Sequence, residues 1–334
     1  MTEGGAYARA GVSQQKADTA VSALVAALAA ADLGSASRQV PLPGHYASVI
    51  RIDDRTGIAL STDGVGTKLV LAEQMGRYDT VGIDCVAMNV NDVICVGAEP
   101  LAMLDYLAVE KADPDVCRQI GIGLARGAEL AGIEIPGGEL AQLGELVRGF
   151  DLAGACFGTV PLDSIIDGSA VEPGDAVVGL PSSGIHSNGY TLARRALEGI
   201  DLDDERLGEP LGEILLAPTE IYVRAVLDLL RSEADVRGLA HITSGGLENL
   251  LRLRAEVGYD IAEPLPVPAV FELIQERGEV SDEEMHGVFN MGCGFCCVVA
   301  GSDADAALET LRSHYEGAAV IGRVADGPRQ VRRT

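Results

Sequence analysis

The 334-residue chain has no tryptophan, and aromatic residues make up only 4% of it. Its cores must therefore be built from Ala, Val, Leu and Ile rather than from large rings. Positive charge is also scarce. Lys and Arg number 25 against 50 Asp and Glu, a formal net charge of −25. That balance excludes nucleic acid and anionic membrane as main partners, since both need a basic surface. It does not exclude a phosphorylated small molecule, for which a local cationic site is enough. Lysine is the rarer cation, present only as Lys16, Lys68 and Lys111. A lysine kept at position 68 of an arginine-preferring chain is either chance or a demand for a compact ammonium.

Long apolar runs are missing too. Ala20 to Ala31 is too short and too Ala-rich to span a bilayer. The opening MTEGGAYARAGV lacks a basic region followed by an apolar stretch, so no secretory leader is expected. The seven cysteines are odd in number and sit mostly in apolar runs, as reduced core residues of a cytoplasmic protein do. Cys293 and Cys296 form a C-x-x-C with no second pair at zinc spacing, and the strand-like run around them reads as core.

What is present is globular: 47% hydrophobic and 22% charged residues, in a length that suits two domains. The most unusual stretch is Ser61 to Pro100. Asp63-Gly64-Val65-Gly66-Thr67-Lys68 forms a glycine-rich turn at the exit of a strand over Ile58 to Thr62. Thr80 to Gly97 then reads as an apolar helix interrupted by acids and amides. Asp84 and Asn91, seven apart, share one face, and Asp92 is adjacent. Acids among Val, Ile, Cys and Met need a cation or hydrogen-bond donors. Spacing alone leaves two readings open. One is a Mg²⁺-nucleotide site in which Lys68 meets phosphate; the other is a helix cap at Asp63 with a solvated helix face.

DGVGTK followed by GID, VAMNVND and GAEPL resembles the phosphoribosylformylglycinamidine cyclo-ligase family, the aminoimidazole ribonucleotide synthetases. Later segments agree in order: GGE at Gly137, FDLAG at Phe150, SSGIHSNGY at Ser182, LLAPTEIYV at Leu215, HITSGGLEN at His241 and FNMGCG at Phe289. The short YxxAGV segment from Tyr7 to Val12 also fits. Related ATP enzymes, selenophosphate synthetase and thiamine-phosphate kinase, share the acidic front half but resemble SSGIHSNGY less closely. A P-loop fails on residue order, and a dinucleotide fold fails for want of its glycine fingerprint, since Gly121-Ile-Gly123 lies inside a helical pattern.

The resemblance implies an α+β fold of two domains, residues 1–163 for ATP binding and dimerisation and 164–334 for the synthetase-like α/β sandwich. The first domain's mixed sheet would close a β-barrel with the same sheet of a second copy, making a homodimer. The implied reaction is ATP-dependent ring closure of formylglycinamidine ribonucleotide, with ATP and Mg²⁺ required. Asp63, Asp84 and Asp92 are expected at the metal, Lys68 at phosphate, with Lys68, His186 and His241 as catalytic groups. Nucleotide and substrate contacts are expected from Asp63, Gly64, Gly66, Thr67, Asp84, Asn91, Glu139, Ser183, Asn188, Thr243, Gly245 and Gly246. The chain also departs from the family. Leu140 and Gln142 stand where a Thr and a Glu are usual, which leaves open a homologous ATP-binding protein with another phosphorylated substrate or without catalysis.

The rest of the chain reads coarsely. Gln14 to Ala31, Pro114 to Ala131 and Pro218 to Glu233 are expected as helices. Ala47 to Ile52 and Gly57 to Thr62 are expected as paired strands around Asp53-Asp54, and Leu101 to Val109 as a strand with an unexpected acid, Asp105. Gly137-Gly138-Glu139 is expected at the exit of a short strand. The Ser/Gly/His/Asn turn after Leu180 and the glycine turn after His241 each offer donors to an anion at a following helix start, or else simple caps.

Overall fold

The computed structural model describes residues 14–32 and 34–334; the Tyr7 to Val12 segment lies outside them. A breaker-free Ala/Leu run gives α1 (Gln14–Ala29). Six strands then form one mixed sheet: β1 (Gln39–Val40), β2 (Ser48–Arg51), β3 (Thr56–Gly64), β4 (Glu99–Val109), β5 (Glu134–Gln142) and β6 (Phe150–Pro161). Their spatial order is β1-β2-β3-β6-β4-β5, antiparallel except for the β4–β5 pair. Three helices belong to this half, α2 (Lys68–Met75), α3 (Val81–Ile94) and α4 (Pro114–Ala131). Asp113 caps α4 by accepting from the Asp115 and Val116 amides, and Gly132 closes it in the left-handed conformation.

Helix α3 lies against one face of this sheet, and twelve of its fourteen residues are buried. The opposite face carries Leu60, Leu104 and Tyr106, each 40% or more exposed. Strand alternation explains the difference. Ser61, Asp63, Met103 and Asp105 point towards α3, while the residues between them point away.

Residues 176–333 build a second sheet from β7 (Ala176–Pro181), β8 (Val236–His241), β9 (Gly258–Ile261), β10 (Cys293–Val299), β11 (Ala319–Ala325) and β12 (Val331–Arg333). The order is β12-β9-β11-β7-β10-β8, with only β12–β9 parallel. Helices α5 (Tyr190–Ala196), α6 (Leu211–Leu216), α7 (Val223–Arg231), α8 (Ala269–Gly278), α9 (Asp282–Val288) and α10 (Ala304–Arg312) accompany it. Strand β10 is buried throughout, so the C-x-x-C is core. All seven cysteines are free thiols, six of them buried.

Two elements differ from the sequence reading. The helix expected from Pro218 starts only at Val223. The amides of Thr219 and Tyr222 donate instead to the side chains of Asp84 and Asn91, which holds residues 217–222 out of the helix. The GGE segment is not at a strand exit. β5 runs through it to Gln142 because pairing with β4 continues, and Gly138 is required where the Asp105 carboxylate occupies the space of a Cβ.

Gly121-Ile-Gly123 also finds a physical role. A Cβ on Gly82 would land on the α4 backbone at Ile120 and Leu124, and one on Gly123 would land on the Asp79 carbonyl. The pair lets α3 and α4 touch backbone to backbone. Gly121 has open space around its Cβ position. Gly82→Ala should therefore lower stability by about 1–3 kcal/mol or more, whereas Gly121→Ala should raise it by about 0.5–1 kcal/mol. Urea unfolding of both variants checks the contrast.

Candidate active site

The site grows from helix α3, which sends three polar side chains across to the second half of the chain. Asp84 is the deepest. Its two oxygens lie 2.9 and 2.8 Å from the Lys68 ammonium, and both side chains are fully buried. Oδ1 also accepts from the Thr219 amide at 2.7 Å, the Thr219 hydroxyl at 2.6 Å and Ser187 at 3.2 Å. Lys68 donates its next bond to the Ala217 carbonyl at 2.6 Å. Burial pulls the Lys68 pKa down, and Asp84 opposes that shift.

Asn91 comes next. Its amide donates to the Glu220 carbonyl at 2.8 Å and accepts from the Tyr222 amide at 3.0 Å. Asp92 completes the set, receiving the His241 Nδ1 proton at 2.9 Å and the Ser61 hydroxyl at 3.4 Å. Asp63 stands opposite on β3. Asn89 holds its backbone as a strand neighbour would, accepting from the Asp63 amide at 3.0 Å and donating to its carbonyl at 3.1 Å. Burial raises the Asp63 pKa, and the charge of Asp92 raises it further. The two carboxylates thus repel each other in a half-enclosed place, an arrangement that a cation would relieve.

The histidines are held in complementary states. Asp92 holds the Nδ1 proton of His241, and the ring's Nε2 is buried and without a partner. His186 accepts the Ser183 amide on Nε2 at 3.3 Å, so its Nδ1 is the donor, also buried and unpartnered. Burial first, then the charges of His241 and Lys68, press the His186 pKa well below its usual value. It is a neutral imidazole at φ 63°, a left-handed backbone that few residues with a side chain adopt. Tyr222 and Phe295, 5.4 Å apart, flank the two rings. Gly294 is required between them, since a Cβ there would strike Tyr222 and His186.

The sequence expectations fall into four groups. Asp63, Asp92, His186 and His241 converge at the seam, with Thr243, Gly245 and Gly246 on the turn after β8. Gly245 and Gly246 have φ of 102° and 55°, values that glycine tolerates. Lys68, Asp84, Asn91 and Ser183 differ from expectation. They are turned into the protein and hold backbone, because their charges and amides satisfy one another there; Ser183 donates to the Pro218 carbonyl at 2.6 Å. Gly64 ends β3, Gly66 and Thr67 follow it ahead of α2, and Asn188 lies just before α5, with Thr67 bonded to Thr191 at 3.1 Å. Glu139 is apart from all of these. It is exposed on β5, opposite Tyr106 on the outer sheet face. Sequence reading missed Asn89, Ser187 and Thr219. The Pro-Thr of LLAPTE looked like a helix start, and no local pattern reveals a partner 135 residues away.

Comparison with known proteins places this geometry. The model of the N-terminal domain of AIR synthase related proteins matches residues 44–160, and that of the C-terminal domain matches residues 172–333. The chain belongs to the AIR synthase related protein family. A relative from Pyrococcus horikoshii named phosphoribosylformylglycinamidine cyclo-ligase is 46% identical over 330 residues, covering 98% of this chain and 97% of its own. A protein of the same name from Methanothermobacter thermautotrophicus is 53% identical over 291 residues, 85% of this chain and 84% of its own. Among solved structures, HypE in complex with HypF superposes with a TM-score of 0.65 at 22% identity, covering 87% of this chain and 90% of that one. AaThiL complexed with AMPPCP and TMP gives 0.63 at 18% identity over 88% of both chains. These two show the shared fold.

Two histidines held neutral have a consequence for stability. His186 is pressed well below 6.5, and the half-buried His45 is lowered to about 4. Unfolded histidine takes up a proton near pH 6.5 while the folded forms stay neutral, so stability falls as pH drops below that value. Each group contributes up to about 1.4 kcal/mol per pH unit until its folded pKa is reached. Urea unfolding between pH 7.5 and 5 should show this slope. His186→Asn, which tolerates the left-handed backbone, should flatten it.

Proposed function

We infer that this chain catalyses ATP-dependent ring closure of formylglycinamidine ribonucleotide to 5-aminoimidazole ribonucleotide in purine biosynthesis. The observation that carries this is the near full-length identity of 46% to a relative named for that ligase reaction. The amide oxygen of the substrate is a poor leaving group. Transfer of the γ-phosphoryl group of ATP to that oxygen makes it a phosphate ester. The internal amidine nitrogen then attacks the activated carbon, the C–O bond breaks, and phosphate departs as the ring forms.

The chain's residues are suited to the tasks of such a step. His186 Nδ1 offers a proton, and His241 Nε2 offers a lone pair, each in a buried place from which water is excluded. Asp92 holds the His241 tautomer and stabilises positive charge on that ring. The Lys68–Asp84 pair and Asn91 fix residues 217–222, which back the loop carrying His186. The carboxylates of Asp63 and Asp92, which repel each other and face no Lys or Arg of the described residues at ion-pair distance, suit Mg²⁺. Among the described residues no three acidic, histidine or cysteine side chains form a ready-made cage. Magnesium does not need one, since it is commonly held by one or two carboxylates with phosphate oxygens and water. When bound it would neutralise charge on the triphosphate.

Domain limits at residues 163 and 164 accord with two sheets that do not share strands. A homodimer is supported by the uncovered apolar face around Leu60, Leu104 and Tyr106, on which Glu139 also stands. Closure of that face against a second copy would bring Glu139 to a boundary between subunits. A cytoplasmic setting is consistent with seven free thiols and with the fact that no helix among the described residues is long and apolar enough to cross a membrane.

Leu140 and Gln142 favour one competing reading, a nucleotide-binding homologue without ring closure, because a lost charge-assisted contact costs about 1.5–3 kcal/mol. Incubating purified protein with formylglycinamidine ribonucleotide and MgATP separates the two. The diazotisable amine product is expected from wild type, and Asp92→Asn should lower its rate about 100-fold or more with unchanged circular dichroism. Product from a Leu140→Thr, Gln142→Glu variant but none from wild type would favour the binder. Sedimentation gives the assembly: a dimer is expected for wild type and a monomer for Leu104→Glu with Tyr106→Glu.

A further inference from the structure

A chain of net charge −25 that binds phosphorylated ligands must keep some cation uncommitted near its site. Lys68 is not that cation, since its ammonium is fully buried on Asp84. The short 3-10 helix Gly246–Arg252 that follows the glycine turn, and the residues just after it, carry two arginines, and they are used differently. Arg254 is bound to Asp167 at 2.7 Å. Arg252 has no carboxylate within ion-pair distance among the described residues; its guanidinium lies over the ring of Tyr46, 4.7 Å from the centroid. That stacking orients the planar fork without consuming its N–H donors.

The surroundings are built to hold it there. The Tyr46 hydroxyl donates to the Asn249 carbonyl at 3.0 Å, and Asn249 in turn donates to the Ser244 and Gly246 carbonyls at 3.1 and 2.7 Å. Loop 41–47 and the glycine turn therefore form one wall. His45 stands edge-on to Tyr46 at 5.6 Å, with neither ring nitrogen bonded to any protein group. Such a pair of orphaned nitrogens in a half-buried ring needs a polar partner that the chain does not supply. The charge of Arg252 is felt by Asp63 and His45 alike, which puts this wall beside the acid and histidine seam.

We propose that Arg252, seated on Tyr46, together with His45 forms a subsite for a phosphate monoester, which the 5′-phosphate of the ribonucleotide substrate occupies. This rests on the ring-closure reading for the identity of that substrate. The guanidinium supplies a bidentate contact to phosphate, and His45 supplies a neutral N–H. Asp63 and Asp92 are left to the cation on the other side, so the two phosphorylated ligands are separated by the sign of the groups that meet them.

Isothermal titration with ribose 5-phosphate, and separately with MgATP, tests the assignment without requiring turnover. Arg252→Gln should weaken ribose 5-phosphate about 10- to 100-fold, as expected for one lost charge-assisted contact, and should change MgATP less than about twofold. Arg252→Lys should fall between, because it keeps the charge and loses the fork. Thermal unfolding confirms that each variant is folded. Three results would each overturn the subsite: no binding of ribose 5-phosphate by wild type at millimolar concentration, unchanged binding by Arg252→Gln, or an equal loss for MgATP. If wild type binds ribose 5-phosphate through Arg252 yet makes no aminoimidazole, ring closure fails and the subsite stands. Product formed by Arg252→Gln with an unchanged KM for the ribonucleotide would mean the reverse.

Discussion

A fully buried carboxylate, Asp84, fixes the relation between the two halves of the chain. It faces one ammonium, one amide and two hydroxyls. Three of those donors come from residues after 180 and one from α2, so the charge can be satisfied only when both halves are in place. An unpaired carboxylate among Val, Ile and Cys would be far too costly to keep. Asn91, two turns further along the same helix face, and the adjacent Asp92 repeat the device at Glu220, Tyr222 and His241. One helix thereby sets the positions of three segments of the second half.

The chemistry of the seam follows from that rigidity. His241 and His186 are both buried, His241 Nδ1 against Asp92 and His186 Nε2 under the Ser183 amide, and the second nitrogen of each ring has no protein partner. In water all four ring nitrogens would be solvated, and burial holds His186 neutral well below its usual pKa. Asp63 and Asp92 remain the groups with charge to spare. The seam thus separates an acidic side, suited to a cation and its polyphosphate, from a buried histidine side suited to proton movement.

Much of this was legible in the sequence. The ordered motifs from DGVGTK to FNMGCG carry the family, and the strands expected at Gly57 to Thr62 and Leu101 to Val109 are present as β3 and β4. Acids inside an apolar helix identified α3 as the organising element. Direction was not legible. Lys68 and Asp84 have the residue types of a phosphate and metal site, yet sixteen residues apart they meet each other across α2 and α3. Only tertiary packing decides whether a buried acid finds a cation of its own chain or one from outside. The helix at Pro218 was misplaced for the same reason, since its amides are claimed by Asp84 and Asn91. Gly137-Gly138-Glu139 reads locally as the exit of a short strand, whereas pairing with β4 continues through it to Gln142.

The buried pair can be tested by a double-mutant cycle on unfolding free energy with Lys68→Met, Asp84→Leu and the combination. Removing one partner leaves an uncompensated buried charge, so each single change should cost about 3–5 kcal/mol. The double change removes both charges and should cost much less than the sum. Single losses below about 1 kcal/mol that add in the double mutant are what a solvated, exposed pair gives. That result would contradict Asp84 as the anchor between the two halves and return Lys68 to the open site.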